Sequence, residues 1–454
     1  MKHHMGADFK LKAYSQINSN VLRYINPLEI NLPPEYNIEI FALGLDSPIG
    51  MVFTETNDLY IALSGAISGN PSILRLTNNG FDTIADNFQV PITGINVLDG
   101  NIYVSNRGKI TVLRPNGIRQ DILSGLPCNG DYASSNVAFG PEGKIYVGQG
   151  TVTNSGVVGE DNPWVYSHPL LSDEPAFNIT MNGQNFESNN LFSANEETVF
   201  TGAFSPYGVP NAENEIKKGV IKASGSILRA NRDGTNLELV AWGFRNPIHI
   251  KFDRNFNLFA ANRGYDVRGS RPIANAPDEF HVVTPGVWYG WPDYCVGEPV
   301  TSPRFDSESR RPLEFLLTEH PNIPPKPFAE FQPHSSIMGF DFNYNNNFGP
   351  YGDVYISEFG SLGALTMGES APPEGIGFRV SRINMSNGQV TTFLSNKSGL
   401  PASISGAGGF GRLVDVKFGP NGDLYVLDNG ISDQNDLERI VPNTGVIWRV
   451  RRIV

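Results

Sequence analysis

Apolar residues in this chain fall in short alternating runs, and the runs recur as one phrase. Tyr36 to Leu45 sets Ile38, Ile40 and Ala42 against Asn37, Glu39 and Phe41, the period of two that sends successive side chains to opposite faces of a strand. The phrase that follows is an apolar strand, a turn with Gly or Asn, a second strand of the Leu-Tyr-Val type, a polar loop and a third strand of the Ile-Leu-Arg-Leu type. Its copies open at Gly50, Gly94, Asn136, Ile248, Met338 and Leu413. They are anchored by Leu59 and Tyr60, Ile102 and Tyr103, Ile145 and Tyr146, Leu258 and Phe259, Val354 and Tyr355, and Leu424 and Tyr425. The first two spacings are 43 residues, the length of a four-stranded propeller blade, and the later ones lengthen to 113, 96 and 70. Lengthening around an intact repeat means insertions, not a new domain.

Six copies predict an all-β fold, a six-bladed β-propeller with long loop insertions on one face. Two packed β-sandwiches would also supply short strands, but nothing in a sandwich repeats a turn at blade spacing. The last copy ends at the C-terminus with few strands left, so Tyr36 to Leu45 is expected to complete that blade and hide its edge. The chain divides on this reading into a tag and lead-in, 1–35, and a single propeller domain, 36–454. The opening Met1, Lys2, His3, His4, Met5 reads as an added tag, so the missing export signal carries no weight. Insertions are expected over about 151–222, 265–280 and 300–333, stacked on the loop face that carries function in such scaffolds.

Composition narrows the partners. The formal net charge is −12 and no cluster of Lys or Arg occurs, which argues against nucleic acid. No run approaches the ~18 apolar residues of a membrane-spanning helix. The 48 glycines, 33 prolines and 11% aromatic residues suit many short strands joined by tight turns. Cys128 and Cys295 allow either a disulfide or two buried thiols, and the sequence leaves both open. No Gly-x-Ser-x-Gly elbow, Walker loop or dinucleotide fingerprint is present, and no histidine has a metal-ligand partner at i+2 or i+4.

Chemistry concentrates in 243–293, which holds GFRNP (243–247), NRG (262–264), Asp278 with Glu279, and GVWYGWP (286–292); HSSIMG (334–339) and RLVD (412–415) come later. On these motifs the chain resembles the glucose/sorbosone dehydrogenase family, soluble aldose sugar dehydrogenases that are six-bladed propellers using pyrroloquinoline quinone (PQQ) and calcium. The resemblance runs over most of the chain from about residue 36. It implies oxidation of a sugar hydroxyl by hydride transfer to the quinone, a small-molecule sugar as substrate, an electron acceptor as partner, and a periplasmic or secreted location. It places Arg245, Asn246 and Arg412 on the cofactor, the carbonyls of Gly264 and Tyr265 at the calcium, and Asp278 and Glu279 in the same loop with a structural or calcium role. A planar tricarboxylate needs guanidinium groups, and calcium takes oxygen ligands, so these residue types suit that chemistry.

Four positions depart from the family pattern. The family's general-base histidine reads Tyr132, its cofactor lysine reads Phe359, the second arginine of the last blade reads Val414, and the proline after the calcium-loop glycine reads Tyr265. A neutral tyrosine titrates near 10 and is a poor base. His334 is the alternative, opening the fifth copy inside a family-like motif, while His249 reads as a structural mid-strand residue. The Trp288, Tyr289, Trp291 and Pro292 cluster reads as core packing, and Arg245 can equally pair with an acidic neighbour. Two other functions stay open: a catalytically impaired propeller that binds carbohydrate or protein, and a calcium-dependent lactonase using Asp266, Asp415 and Glu358.

Overall fold

A computed structural model describes residues 23–195, 197–307, 312–361, 376–433, 435–436 and 439–453. Six antiparallel sheets carry the six copies of the repeat. Their innermost strands are Pro48–Phe53, Ile92–Leu98, Ser134–Phe139, Asn246–Phe252, Ile337–Phe342 and Leu413–Phe418, and each packs beside the next so that the sixth meets the first. Tyr36–Leu45 pairs with Gly445–Arg452 as the outermost strand of blade 6, so a strand from the start of the chain closes the ring. Among the described residues no helix is long and apolar enough to cross a membrane.

The repeated phrase has a physical cause. At five of the six interfaces the aromatic residue of the second strand packs against the Phe that ends the inner strand of the next blade. Tyr103 meets Phe139 with ring centroids 5.0 Å apart, Tyr146 meets Phe252 at 5.0 Å, Phe259 meets Phe342 at 5.3 Å, Tyr355 meets Phe418 at 5.4 Å and Tyr425 meets Phe53 at 4.9 Å. All five are tilted or edge-on, the geometry aromatic quadrupoles favour. At the remaining interface Tyr60 joins Val97 in a shared cluster. The Leu-Tyr-Val signature is therefore the wedge between blades.

The boundary expected at residue 36 moves back. Residues 1–22 of the expected tag lie outside the described residues, but 23–35 are built into the ring. Arg23 is buried and binds Asp428 at 2.7 Å and the carbonyl of Thr444 at 3.1 Å, and Ile30–Asn31 adds a fifth strand to blade 5.

Polar positions on the inner strands clasp neighbouring blades. Asn136 exchanges two 3.0 Å hydrogen bonds with the backbone of Ile250, the Phe418 amide donates to Asp341 at 2.9 Å, and the Met51 amide donates to Asp415 at 3.0 Å. Gly50, Gly94, Asn136, His249, Gly339 and Asp415 ring a waist where the channel shrinks to about 30 Å³. A Cβ on Gly339 would stand 2.1 Å from Asp415 Oδ1, so glycine is required for that approach. Beyond the waist, at the C-terminal ends of the inner strands, the channel opens into a cup of about 290 Å³.

The insertions interlock on the opposite face. Val157, Met181, Phe204, Tyr265 and Leu316, drawn from all three, share one apolar cluster with Trp291. Arg271 and Asp293, fully buried, pair at 3.0 Å, and Asp293 also accepts from the amides of Leu316 and Leu317. Trp288 and Trp291 are buried in this layer. Cys128 and Cys295 are free thiols.

Candidate functional site

The motifs of 243–279 knit into one unit. Gly243, at φ +89°, turns the chain from the outer strand of blade 3 into blade 4, where a side chain would strike Trp288. The amides of Arg245 and Asn246 both donate to Asn262 Oδ1, at 3.1 and 2.9 Å, and Asn262 Nδ2 donates to Glu279 at 2.7 Å. Asp278 accepts from the Gly264 amide at 2.7 Å and from the Ile337 amide at 2.9 Å, tying blade 4 to blade 5.

This unit holds Arg245 at the mouth of the channel on the insertion side, 3% exposed. Its guanidinium donates to the Gly264 carbonyl, to the Tyr132 hydroxyl, to Asn154 Oδ1 at 2.8 Å and to Asp266 Oδ2 at 2.6 Å, and it lies 4.5 Å from the centre of the Tyr132 ring. Arg268 faces it. Its guanidinium reaches Asp131 at 2.5 Å, Asp161 at 2.6 Å, Asp266 at 3.4 Å and the Tyr132 hydroxyl at 3.1 Å. His334, at φ +65° before blade 5, brings Nδ1 to 3.9 Å from Asp266.

Electrostatics fix the protonation states. Burial pushes the Tyr132 hydroxyl up to about 12 against the pull of Arg245 and Arg268, so it is a neutral phenol that donates to Asp266 at 3.4 Å. Burial opposes the charge on Asp266 too, but Arg245 and Arg268 hold its carboxyl well below the usual carboxylate range. Burial likewise works against the charge on Arg268, yet the carboxylates of Asp131, Asp266 and Asp161 keep it protonated. Asp278 is pushed up to about 6 by burial.

Arg412 opens the inner strand of blade 6. Nη1 donates to the Gly360 carbonyl at 2.9 Å and Nε to Ser432 at 3.0 Å, and the guanidinium lies 4.9 Å from the Phe359 ring and 5.1 Å from the Phe378 ring. Gly360 donates to the Ser335 carbonyl at 3.0 Å, so Arg412 adjoins the His334 segment. Asn246 is buried, its carboxamide facing Gly150. Val414 lines the waist instead of the mouth. His249 is also at the waist, edge-on to Phe340 at 5.0 Å, and burial with Lys417 and Lys251 nearby keeps it neutral. Asp415 lies at the waist, Glu358 is fully buried against Arg379 and Ser381, and Asp266 is at the mouth, so the three acids do not converge.

Calcium and quinone fare differently when these residues are tested for fit. The Gly264 carbonyl is taken by a guanidinium, both oxygens of Asp278 are bonded to amides, and Glu279 accepts from the Val296 amide at 2.5 Å and from Asn262. Tyr265 is buried under the insertions with its hydroxyl on the Tyr294 carbonyl at 3.0 Å. Among the described residues no group of three or more His, Cys, Asp or Glu is set to hold a metal ion. As arranged, this donor set does not fit calcium. The guanidinium groups do match the charge of a planar tricarboxylate. Sequence reasoning missed Asp131, Asn154, Asp161 and Arg268, all from loops; the only signal was two arginines, 268 and 271, in the polar excursion after blade 4's second strand.

Fold and mouth together define a six-bladed propeller with one charged network at the insertion-bearing end of its channel. No protein-family model matches the chain, and no curated protein matches its sequence. Solved structures do match its fold. The holo form of the pyranose dehydrogenase PQQ domain from Coprinopsis cinerea is 14% identical, with a TM-score of 0.56 over 95% of this chain and 98% of that one. A calcium structure of a Trichoderma reesei carbohydrate-active enzyme of family AA12 is 14% identical, with a TM-score of 0.56 over 96% and 99%. The soluble aldose sugar dehydrogenase of Escherichia coli, in its apo form, is 14% identical, with a TM-score of 0.52 over 92% and 99%. The chain shares the fold of these three proteins along nearly their whole length.

Proposed function

We propose that the chain is a sugar dehydrogenase-type oxidoreductase that oxidises a sugar hydroxyl at the insertion-bearing mouth, with PQQ as hydride acceptor. The observation that carries this reading is the convergence of Tyr132, Arg245, Asp266, Arg268 and His334 at that mouth, on a fold shared with sugar dehydrogenases. PQQ, when bound, supplies an electrophilic carbonyl that takes hydride from the carbinol carbon. Arg245 and Arg412 hold its carboxylates, with Asn246 beside Arg245. His334 takes the hydroxyl proton, and the Asp266 carboxylate 3.9 Å away favours the resulting imidazolium. Tyr132, a neutral phenol, orients oxygen atoms as a hydrogen-bond donor and does not act as the base. The partners are a small sugar and an electron acceptor, and the reading carries a periplasmic or secreted location with it.

The test is dye reduction by the PQQ-loaded chain across a panel of aldoses and sorbosone, with and without calcium. Turnover that falls at least ~10²-fold in His334→Ala supports the assignment; no reduction with any sugar overturns it. A second reading, a propeller that binds carbohydrate without turning it over, is favoured by one observation: the Arg245 and Arg268 guanidiniums already have internal partners. Saturable glycan binding by a chain that takes up no PQQ would establish it.

A further inference from the structure

The calcium position implied by the resemblance is filled by the protein itself. Arg245 Nη1 donates to the Gly264 carbonyl, and the other face of that segment is fixed because the Gly264 amide donates to Asp278 at 2.7 Å. Gly264 is needed there for backbone packing, since a Cβ would stand 2.3 Å from the Pro277 carbonyl oxygen. The arginine cannot swing aside freely. Its Nη2 is held by Asn154 at 2.8 Å and Asp266 at 2.6 Å, its Nε faces the Asn154 carbonyl at 3.3 Å, and its own carbonyl accepts from the Thr151 amide at 2.9 Å. A divalent ion at Gly264 would meet this buried positive charge at close range with no free carboxylate to offset it, because Asp278 and Glu279 are already bonded to amides.

We infer that the guanidinium of Arg245 replaces a divalent cation at the Gly264 carbonyl, so that this mouth binds its polycarboxylate ligand without calcium. The inference rests on the quinone reading above for the identity of that ligand, but not for the cation. Asp266 Oδ2 is then the oxygen that balances Arg245 and Arg268 while no ligand is present, and a ligand carboxylate takes that position while Oδ1 stays toward His334. One consequence is that removing calcium leaves affinity unchanged.

Calorimetric titration of the full chain with PQQ, in EDTA and again in millimolar calcium, tests this. Affinities within about twofold of each other support the inference, and a tightening of tenfold or more with calcium overturns it. Binding in neither buffer would overturn the dehydrogenase reading, and a second measurement would still decide the cation. In crystals soaked with calcium chloride, an ion within about 2.6 Å of the Gly264 carbonyl oxygen overturns the inference. Retention of the Arg245 contact with no ion there supports it.

Discussion

Below the mouth of the channel Asp415 at the waist and Asp341 in the far cup each hold a backbone amide of the next blade, whereas at the insertion-bearing mouth Asp131, Asp161 and Asp266 surround the single guanidinium of Arg268. These two carboxylates stand on inner strands and stitch the ring together. The mouth carboxylates come from three different loops and stitch the insertions to a site. Charge below the mouth thus serves a neighbouring strand, and charge at the mouth serves other charge. The difference teaches that a repeat fold can keep its ring while its loops rebuild the chemistry, since the two networks share no residue.

The insertion layer above the mouth should be the most costly place to remove a charge. Asp293→Ala leaves Arg271 buried without its partner and strips the Leu316 and Leu317 amides of their acceptor. Breaking such a pair costs ~3–5 kcal/mol, measurable as a fall in chemical-denaturation stability. A cost below ~1 kcal/mol would show that the layer is not locked by this pair. At the waist, Gly339→Ala drives a methyl into Asp415 and forces the Met51 clasp apart. Overpacking of this kind costs ~1–3 kcal/mol, and an unchanged melting curve would refute the waist's role in holding the ring.

Acid titration separates the carboxylates of the mouth by sign. Asp278 is raised from 3.8 to about 6, so the folded state holds more protons than the unfolded one between those values, and this group's contribution falls as pH rises through that window. Asp266 is lowered, so its contribution is fully present above 3.8 and is lost as pH falls below it. Melting temperatures measured from pH 7 to pH 3 should therefore show Asp278→Asn removing a loss that the wild type suffers on going from pH 4 to 6. Asp266→Asn should remove a loss that the wild type suffers only in stronger acid. A tenfold difference in proton affinity between the folded and unfolded chain is worth about 1.4 kcal/mol, and two variants with the same pH profile would contradict the assignment.

These contrasts also explain what the sequence disclosed. The ring was legible because its wedge, an aromatic residue in each second strand, against the next blade's Phe at five of six interfaces, needs the same residue types at the same place in each repeat. The closing strand at Tyr36 was legible from its alternation and from the strand missing in blade 6. Residues 23–35 were not, because Arg23 binds Asp428 from 405 positions away and nothing local marks the contact. At the site, Arg245, Gly264, Asp278 and Glu279 were picked out as chemically important, and the structure places them in one network. Sequence could not show that the arginine sits on the glycine's carbonyl. That contact depends on the path of the loop through Tyr265 and Asp266, set by packing against the 151–222 insertion. Arg268 and its acids escaped notice for the same reason.

Lys251 offers the smallest and sharpest test of the comparison. Its ammonium pairs with Asp341 in the far cup, one-third exposed, and resembles the pairs at the mouth in its partners alone. But Asp341 keeps the Phe418 amide at 2.9 Å and its neighbour Phe342 at 2.9 Å when the lysine is gone, and water reaches the cup. Lys251→Met should therefore cost less than ~1 kcal/mol, as for other solvent-reached pairs, and that cost should shrink further in high salt. The clasp between blades 5 and 6 is a carboxylate-to-amide bond, and the lysine only accompanies it. A loss above ~2 kcal/mol would mean that charge pairs hold the ring at both ends, and the division between strand-serving and charge-serving carboxylates would fail.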